Sequence, residues 1–133
     1  MNNTITAHIE FDFKGEHFSL ETELDLDQLM ATYGKIPDLY PLIAKHHHID
    51  PYSYEYEVML TQSLTFSRAQ GRVRPFLEQD HFDQKGFEQD WHEQRLYRQL
   101  LPLLKQHMDI DDIEQVPELK AIILAAYRLG LTH

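Results

Sequence analysis

The fold is decided by residues 5–26, which read ITAHIEFDFKGEHFSLETELDL. Apolar side chains fall on odd positions up to Phe13 and on even positions from Phe18, with Thr22 as the interruption. Because side chains alternate between the two faces of a strand, each half of this stretch has one apolar face. The pattern therefore predicts an antiparallel β-hairpin with strands over about 4–13 and 17–26.

A type II′ turn, with Gly15 and then Glu16 as its central residues, predicts the register of this hairpin. It sets Phe13 opposite Phe18 and gathers the apolar side chains on one face of the ribbon. On the polar face it sets Glu10 opposite Glu21, which is mildly destabilising because like charges then face each other. We expect that face to be solvated, with a cation or a basic partner as the alternative.

Start and stop signals predict four to five helices after the hairpin, among them a long helix in which Pro102 causes a kink or a break. Residues 52–62 also alternate like a strand, but Asp50 and Pro51 form a helix start signal and favour a helix. The predicted helices are a short one ending before Gly34, helices over about 39–47, 52–62 and 86–107, and one from Pro117 to before Gly130.

Together these elements predict an α+β fold in which the hairpin packs against a helical remainder. A hairpin alone is marginal in water, so it must pack on helices, recruit another strand, or both. Two apolar helical stripes, over 97–108 and 119–129, are the expected buried faces. At 133 residues the chain is expected to be a single domain, 1–133.

Composition excludes several classes of function. The formal net charge of −10 opposes nucleic-acid binding, and the absence of cysteine excludes disulfides and thiolate metal sites. No apolar run approaches the ~20 residues of a membrane span, so a cytoplasmic protein is expected. The tyrosines at 52, 54 and 56 are expected to pack in the core or at its rim, because Glu55 and Glu57 oppose stacking on a nucleic acid.

A run of three histidines, followed closely by Asp50, is the main candidate for a metal site. Imidazole and carboxylate are ligands for zinc, nickel or copper, so His46, His48 and Asp50 form one hypothetical divalent-metal set. The alternative is structural, since histidines suit the C-terminal end of a helix, where the helix dipole favours positive charge.

Three arginines around Gly71 form a second candidate site. Arginine binds planar anions, so Arg68, Arg72 and Arg74 on a predicted loop are a hypothetical site for an anion or a phosphorylated metabolite. The alternative is pairing with nearby acids. On the long helix, Glu88, His92, Arg95 and Gln99 share an arc of about 60° and are expected to form a solvent face.

No catalytic constellation or nucleotide-binding loop emerges from the sequence. We therefore expect a small acidic interaction or assembly domain without enzymatic activity or a required cofactor. The free edges of the hairpin are the expected contact, for a protein partner or for a second copy that would complete a four-stranded sheet. A metal-binding protein or metalloenzyme and an anion-binding protein are the alternatives.

Overall fold

A computed structural model describes residues 2–109 and 113–131 of the chain, without the side chain of the last residue. This part of the chain has the predicted α+β fold, with a three-stranded antiparallel sheet, a two-stranded ribbon and five α-helices. The strands are β1 (Thr4–Phe13), β2 (Glu16–Asp25), β3 (Thr65–Gln70), β4 (Leu77–Glu78) and β5 (His81–Phe82). The helices are α1 (Leu26–Tyr33), α2 (Leu39–His46), α3 (Tyr54–Leu60), α4 (Gln84–Met108) and α5 (Pro117–Leu131).

The central strand of the main sheet is β1, in the strand order β2-β1-β3. Its partner β2 pairs along all ten residues, whereas β3 pairs only with Thr4–His8. The sequence predicts an extended chain near Phe66 but a loop from Arg68 onward, and this loop is wrong because β3 continues to Gln70. The hairpin thus both packs on helices and recruits a third strand.

The hairpin turn is one residue earlier than predicted. Lys14 and Gly15 have φ angles of 52° and 76°, so both central residues are left-handed, which is the conformation of a type I′ turn. Phe13 consequently pairs with Glu16, and Phe11 pairs with Phe18, whose ring stacks on it at 4.8 Å. The predicted register is wrong by two residues, but an even shift leaves the apolar face unchanged.

The corrected register also removes the predicted repulsion on the polar face. Ser19 lies opposite Glu10, and Glu21 lies opposite His8 instead of Glu10. A hydroxyl or an imidazole therefore faces each of these two carboxylates. The polar face does not need a cation to relieve opposed charges at these positions.

The chain divides into two compact units, with residues up to Glu88 in the first and residues from Gln89 in the second. In the first unit, α1 and α3 pack against β1, and α2 packs against β2. The core of this unit includes apolar side chains of both hairpin strands and of all three helices. Its largest fully buried members are Ile5, Ile9, Leu26, Met30, Ile43, Met59, Val73 and Phe87.

The predicted start signals of α1 and α2 are confirmed, but the one at Asp50 and Pro51 is wrong, because Ser53 caps α3. The side chain of Asp25 accepts a hydrogen bond from the Gln28 amide at the start of α1, and Gly34 ends that helix with a φ of 72°. Helix α3 settles the ambiguity of 52–62 in favour of a helix. The tyrosine prediction is wrong for two residues, since Tyr52 is 96% and Tyr54 75% exposed.

The second unit consists mainly of α4, which continues past Pro102 without a break, and α5. Helix α5 starts at Pro117 as predicted, but it runs through Gly130 instead of ending before it. The predicted buried stripe of α5 is wrong at three exposed residues, Ile122, Ala126 and Leu129, of which Ile122 is 66% and Leu129 64% exposed. Periodicity identifies an apolar face, but it does not guarantee that another element covers that face. Within the described residues, no helix is long and apolar enough to cross a membrane.

Candidate functional site: the outer strand β2 and the histidines of α2

The histidine run lies at the end of α2, whose start is fixed by the side chain of Asp38 accepting a hydrogen bond from the Tyr40 amide. His46 is the last helical residue, and His47 is the C-cap. His48 has a φ of 59°, so the chain turns away from the helix axis there. The first two imidazoles and the third therefore belong to different surroundings.

Helix α2 is also held from its first turn. The Tyr40 hydroxyl donates a hydrogen bond of 2.6 Å to the carbonyl oxygen of Gln62, just beyond α3. Burial raises the pKa of this hydroxyl, and the carboxylate of Asp38 raises it further. The hydroxyl therefore stays a proton donor. Its hydrogen bond fixes the start of α2, and the histidines lie at the other end of the same helix.

His46 and His47 converge on the hydroxyl of Thr22. The Thr22 Oγ1 atom lies 3.0 Å from Nδ1 of His46 and 3.3 Å from Nε2 of His47. Thr22 is buried, although it is the residue that interrupts the apolar alternation of β2. Its hydroxyl thus has a structural role, because it is the hydrogen-bonding partner that joins the end of α2 to β2.

His47 also contacts the backbone of β2, where its Nε2 lies 2.9 Å from the carbonyl oxygen of Glu21. A carbonyl only accepts, so Nε2 of His47 carries the hydrogen and donates it to Glu21. The Thr22 hydroxyl shares its other hydrogen bond with Nδ1 of His46, whose tautomer decides which of the two atoms donates. The Thr22 hydroxyl, Nδ1 of His46, Nε2 of His47 and the Glu21 carbonyl thus form one hydrogen-bonded group.

The outer edge of β2 has no strand partner in the described chain, although His47 bonds one of its carbonyls, that of Glu21. Phe13 and Glu16 flank a two-residue turn and exchange hydrogen bonds, so the even residues of β2 bond to β1. The odd residues point their backbone groups outward, and within the described chain no strand pairs with them. The outward residues are His17, Ser19, Glu21, Glu23 and Asp25.

The polar face beside this edge holds a hydrogen-bonded cluster. His8 Nε2 lies 3.0 Å from the Ser19 hydroxyl, and Glu10 Oε1 lies 3.5 Å from that hydroxyl and 3.6 Å from the same ring nitrogen. A serine–histidine–acid relay needs the hydroxyl and the carboxylate on opposite ring nitrogens. This cluster has both on one nitrogen and therefore lacks the relay geometry.

The predicted metal residues fall into two separate places. His48 and Asp50 line one cleft of about 550 Å³ together with Lys45, whereas His46 bonds to Thr22. The structure thus brings His46 together with His47, and His48 together with Asp50. Among the described residues, no three histidine, aspartate or glutamate side chains are grouped so that they could hold a metal ion. A metal site at His46, His48 and Asp50 stays a prediction.

The predicted anion residues are spread along β3 and the turn after it. Arg68 lies in β3, and its guanidinium reaches the Glu21 carboxylate at 2.9 Å. Arg72 and Arg74 are exposed on either side of the buried Val73, whose amide bonds to the side chain of Asn3. Arg68 is therefore already paired with an acid, and an anion site at the three arginines stays a prediction.

Sequence reasoning missed two residues of this site, Thr22 and His47. The signal for Thr22 is present in the sequence, because one polar residue in an apolar alternation needs a hydrogen-bonding partner once it is buried. His47 has no such signal, since only the exact end of α2 decides which imidazole turns towards β2. The direction of a side chain at a helix end depends on one residue of helix length.

Comparisons with known proteins identify no relative of this chain. No protein-family model matches it, and neither a curated protein nor a solved structure matches it at a significant level.

Proposed function

We propose that this protein is a small acidic assembly module that pairs with a second copy of itself along the outer edge of β2. The observation that supports this is a ten-residue edge strand whose outward backbone groups have no strand partner in the described chain. An unpaired edge of this length is a template for another strand. A cytoplasmic location, expected from the sequence, belongs to the same proposal.

An antiparallel register centred on Leu20 opposes no like charges and pairs more of β2 than the register centred on Ser19 would. In that register His17 lies opposite Glu23 of the second copy, and Ser19 lies opposite its Glu21. A register centred on Glu21 would oppose that carboxylate to itself, and one centred on Thr22 would oppose Glu21 to Glu23 twice. Like charges directly opposite one another destabilise a strand pair, so these alternatives are disfavoured.

The Leu20 register also keeps the apolar faces of the two sheets continuous. Leu20 meets Leu20 of the second copy, and Phe18 meets its Thr22. The four outward residues from His17 to Glu23 would exchange about eight backbone hydrogen bonds between the copies. The carbonyl of Glu21 uses one lone pair for His47 and keeps the other for the second copy.

The assembly has six strands in the order β3-β1-β2-β2-β1-β3. The sequence predicted four, because the hairpin strands were the only ones it identified. The second edge of β1 is taken by β3, so of the two hairpin strands only β2 keeps an edge without a strand partner in the described chain. A two-fold axis through Leu20 closes the pair, and the assembly stops at a dimer.

Light scattering after size exclusion, over about 1–100 µM protein, tests the proposal. Ser19→Pro removes an outward N–H without touching the ladder to β1, and we expect it to weaken association by at least about tenfold. Ser19→Ala is the matched control, because it loses the hydroxyl contact with His8 but keeps the N–H. A strict monomer, or a Ser19→Pro variant as dimeric as the wild type, would contradict the proposal and leave the edge to another partner.

Cysteine crosslinking tests the register in the same experiment. The chain has no cysteine, so Leu20→Cys introduces a single thiol that faces its own copy across the two-fold axis. Facing residues in a non-hydrogen-bonded pair have Cα atoms about 4.5 Å apart, which a disulfide can span. We expect an oxidised dimer for Leu20→Cys and none for Phe18→Cys, which lies opposite Thr22.

A further inference from the structure

The second unit contains a cleft between α4 and α5 that is lined by hydrogen-bond donors. Its lining residues are His92, Arg95, Leu96, Gln99 and Tyr127, and its volume is about 310 Å³. Guanidinium, imidazole, amide and hydroxyl groups all bring N–H or O–H donors to this cleft. None of the described residues that line it carries a carboxylate, although the chain has a formal net charge of −10.

Arg95 is the charged group of this cleft, and no acidic residue lies three or four positions away from it on α4. The residues three and four positions away on α4 are Trp91, His92, Arg98 and Gln99. Its guanidinium lies 5.7 Å from the centre of the Trp91 ring, and within the described residues it has no carboxylate at ion-pair distance. A cation held against an aromatic ring keeps its donors available for an anion.

Two other cations of this unit differ from Arg95 in that each is paired with a carboxylate. Arg128 contacts the Glu93 carboxylate at 2.9 Å, and Lys120 contacts Glu114. Glu93 follows His92 in the sequence, yet its charge is offset by Arg128 and its side chain is largely buried. Glu93, the acid nearest to the cleft along α4, is therefore already paired with a cation.

We propose that this cleft binds the oxyanion group of a small molecule, a carboxylate or a phosphate. The planar fork of arginine matches two oxygens of such a group, and the Tyr127 hydroxyl and the Gln99 amide add single donors. The volume is at the lower end of the range for ligand sites, which fits one compact charged group and not a large cofactor. The sequence predicted that His92, Arg95 and Gln99 form a solvent face of α4. It did not predict that Tyr127 of α5 would line a cleft together with them.

Titration of the full-length protein followed by amide NMR tests this inference. Inorganic phosphate and acetate are added separately, each against sodium chloride at the same ionic strength. We expect saturable shifts at His92, Arg95 and Gln99 with at least one of the two anions. An acetate response alone assigns a carboxylate ligand, and a phosphate response alone assigns a phosphorylated one.

Variants of two arginines on α4 separate this site from a general charge effect. Arg95→Gln is expected to weaken the binding by at least about tenfold, because charge-assisted hydrogen bonds are lost. Arg98→Gln changes the net charge equally, but Arg98 is exposed and bonds to the Gln94 carbonyl outside the cleft, so it should have little effect. The inference is overturned if neither anion saturates, or if both variants weaken the binding equally.

Discussion

The two units of this protein bury their apolar side chains to very different extents. All of the largest fully buried side chains belong to the first unit, where α1–α3 pack on the hairpin. The large apolar residues that the helices of the second unit leave exposed are not aromatic, namely Leu103, Met108, Ile122 and Leu129, whereas those of the first unit are three tyrosines and Leu60. A sheet with helices on one face encloses a core, whereas two helices meet along one line and leave their other faces uncovered.

The largest expected effect tests this difference directly. Phe87→Ala, in the core of the first unit, should lower the free energy of unfolding by about 3–5 kcal/mol, because it leaves a cavity. Ile122→Ala on α5 should change it by no more than about 0.5 kcal/mol, because that side chain is already exposed. Urea unfolding followed by circular dichroism measures both. Equal losses for the two variants would mean that Ile122 is covered in solution.

A smaller effect is expected at the junction between α2 and β2. Thr22→Val keeps the shape of the side chain but leaves Nδ1 of His46 without its hydroxyl partner. The expected loss is about 1 kcal/mol, the usual net value of one hydrogen bond. Thr22→Ser serves as the control, because it keeps the hydroxyl. Should Thr22→Val match the wild type in urea, the junction would contribute nothing to stability.

The buried hydroxyl of the second unit should behave in the opposite way. Tyr97 is 8% exposed, and its hydroxyl has no hydrogen-bond partner in the described chain. Removing such a group leaves no buried partner unsatisfied, so Tyr97→Phe should be neutral or stabilising by up to about 1 kcal/mol. Thr22 and Tyr97 thus compare a buried hydroxyl that has partners with one that has none.

The same tyrosine predicts a dependence of stability on alkaline pH. Burial raises the pKa of Tyr97, and this outweighs the opposing effect of the Lys120 ammonium. The folded state therefore holds this proton more tightly than the unfolded state, and stability is lost as the pH rises above the ordinary tyrosine value of about 10. Tyr97→Phe should reduce the difference in unfolding free energy between about pH 8 and pH 11. An unchanged difference would assign the alkaline loss to other groups.

Strand periodicity predicted the fold well because it depends on a simple alternation. The alternation of apolar and polar residues was enough to assign Ile5, Ile9 and Leu24 to the buried face. A shift of the register by an even number of residues leaves this assignment unchanged. The register itself depends on the turn, where Lys14 adopts a left-handed conformation that the sequence does not demand. The third strand was missed in part because its end is polar and irregular. Gln70 pairs with Thr4, whereas Arg68 has a φ of 52° and lies where the register with β1 shifts.

The candidate site was less predictable because it depends on the direction in which the imidazole side chains point at the end of a short helix. The histidine run was recognised, but the sequence grouped His46 with His48, whereas the structure groups it with His47. One residue of helix length changes the direction of an imidazole by about 100°. For the same reason, the donor cleft of the second unit could not be foreseen from α4 alone, since Tyr127 comes from α5.

The position of β1 in the sheet has a consequence for synthesis of the chain. The hairpin needs only local contacts, and such ribbons form in about 1–10 µs once both strands are available. The other edge of β1 is completed by a segment ending at Gln70, which is made long after Asp25. At ~5–20 residues per second, this delay is roughly 2–9 s. During that interval a nascent chain exposes both edges of an apolar ribbon, so its early contacts on the ribosome are those of an aggregation-prone peptide and not of the finished protein.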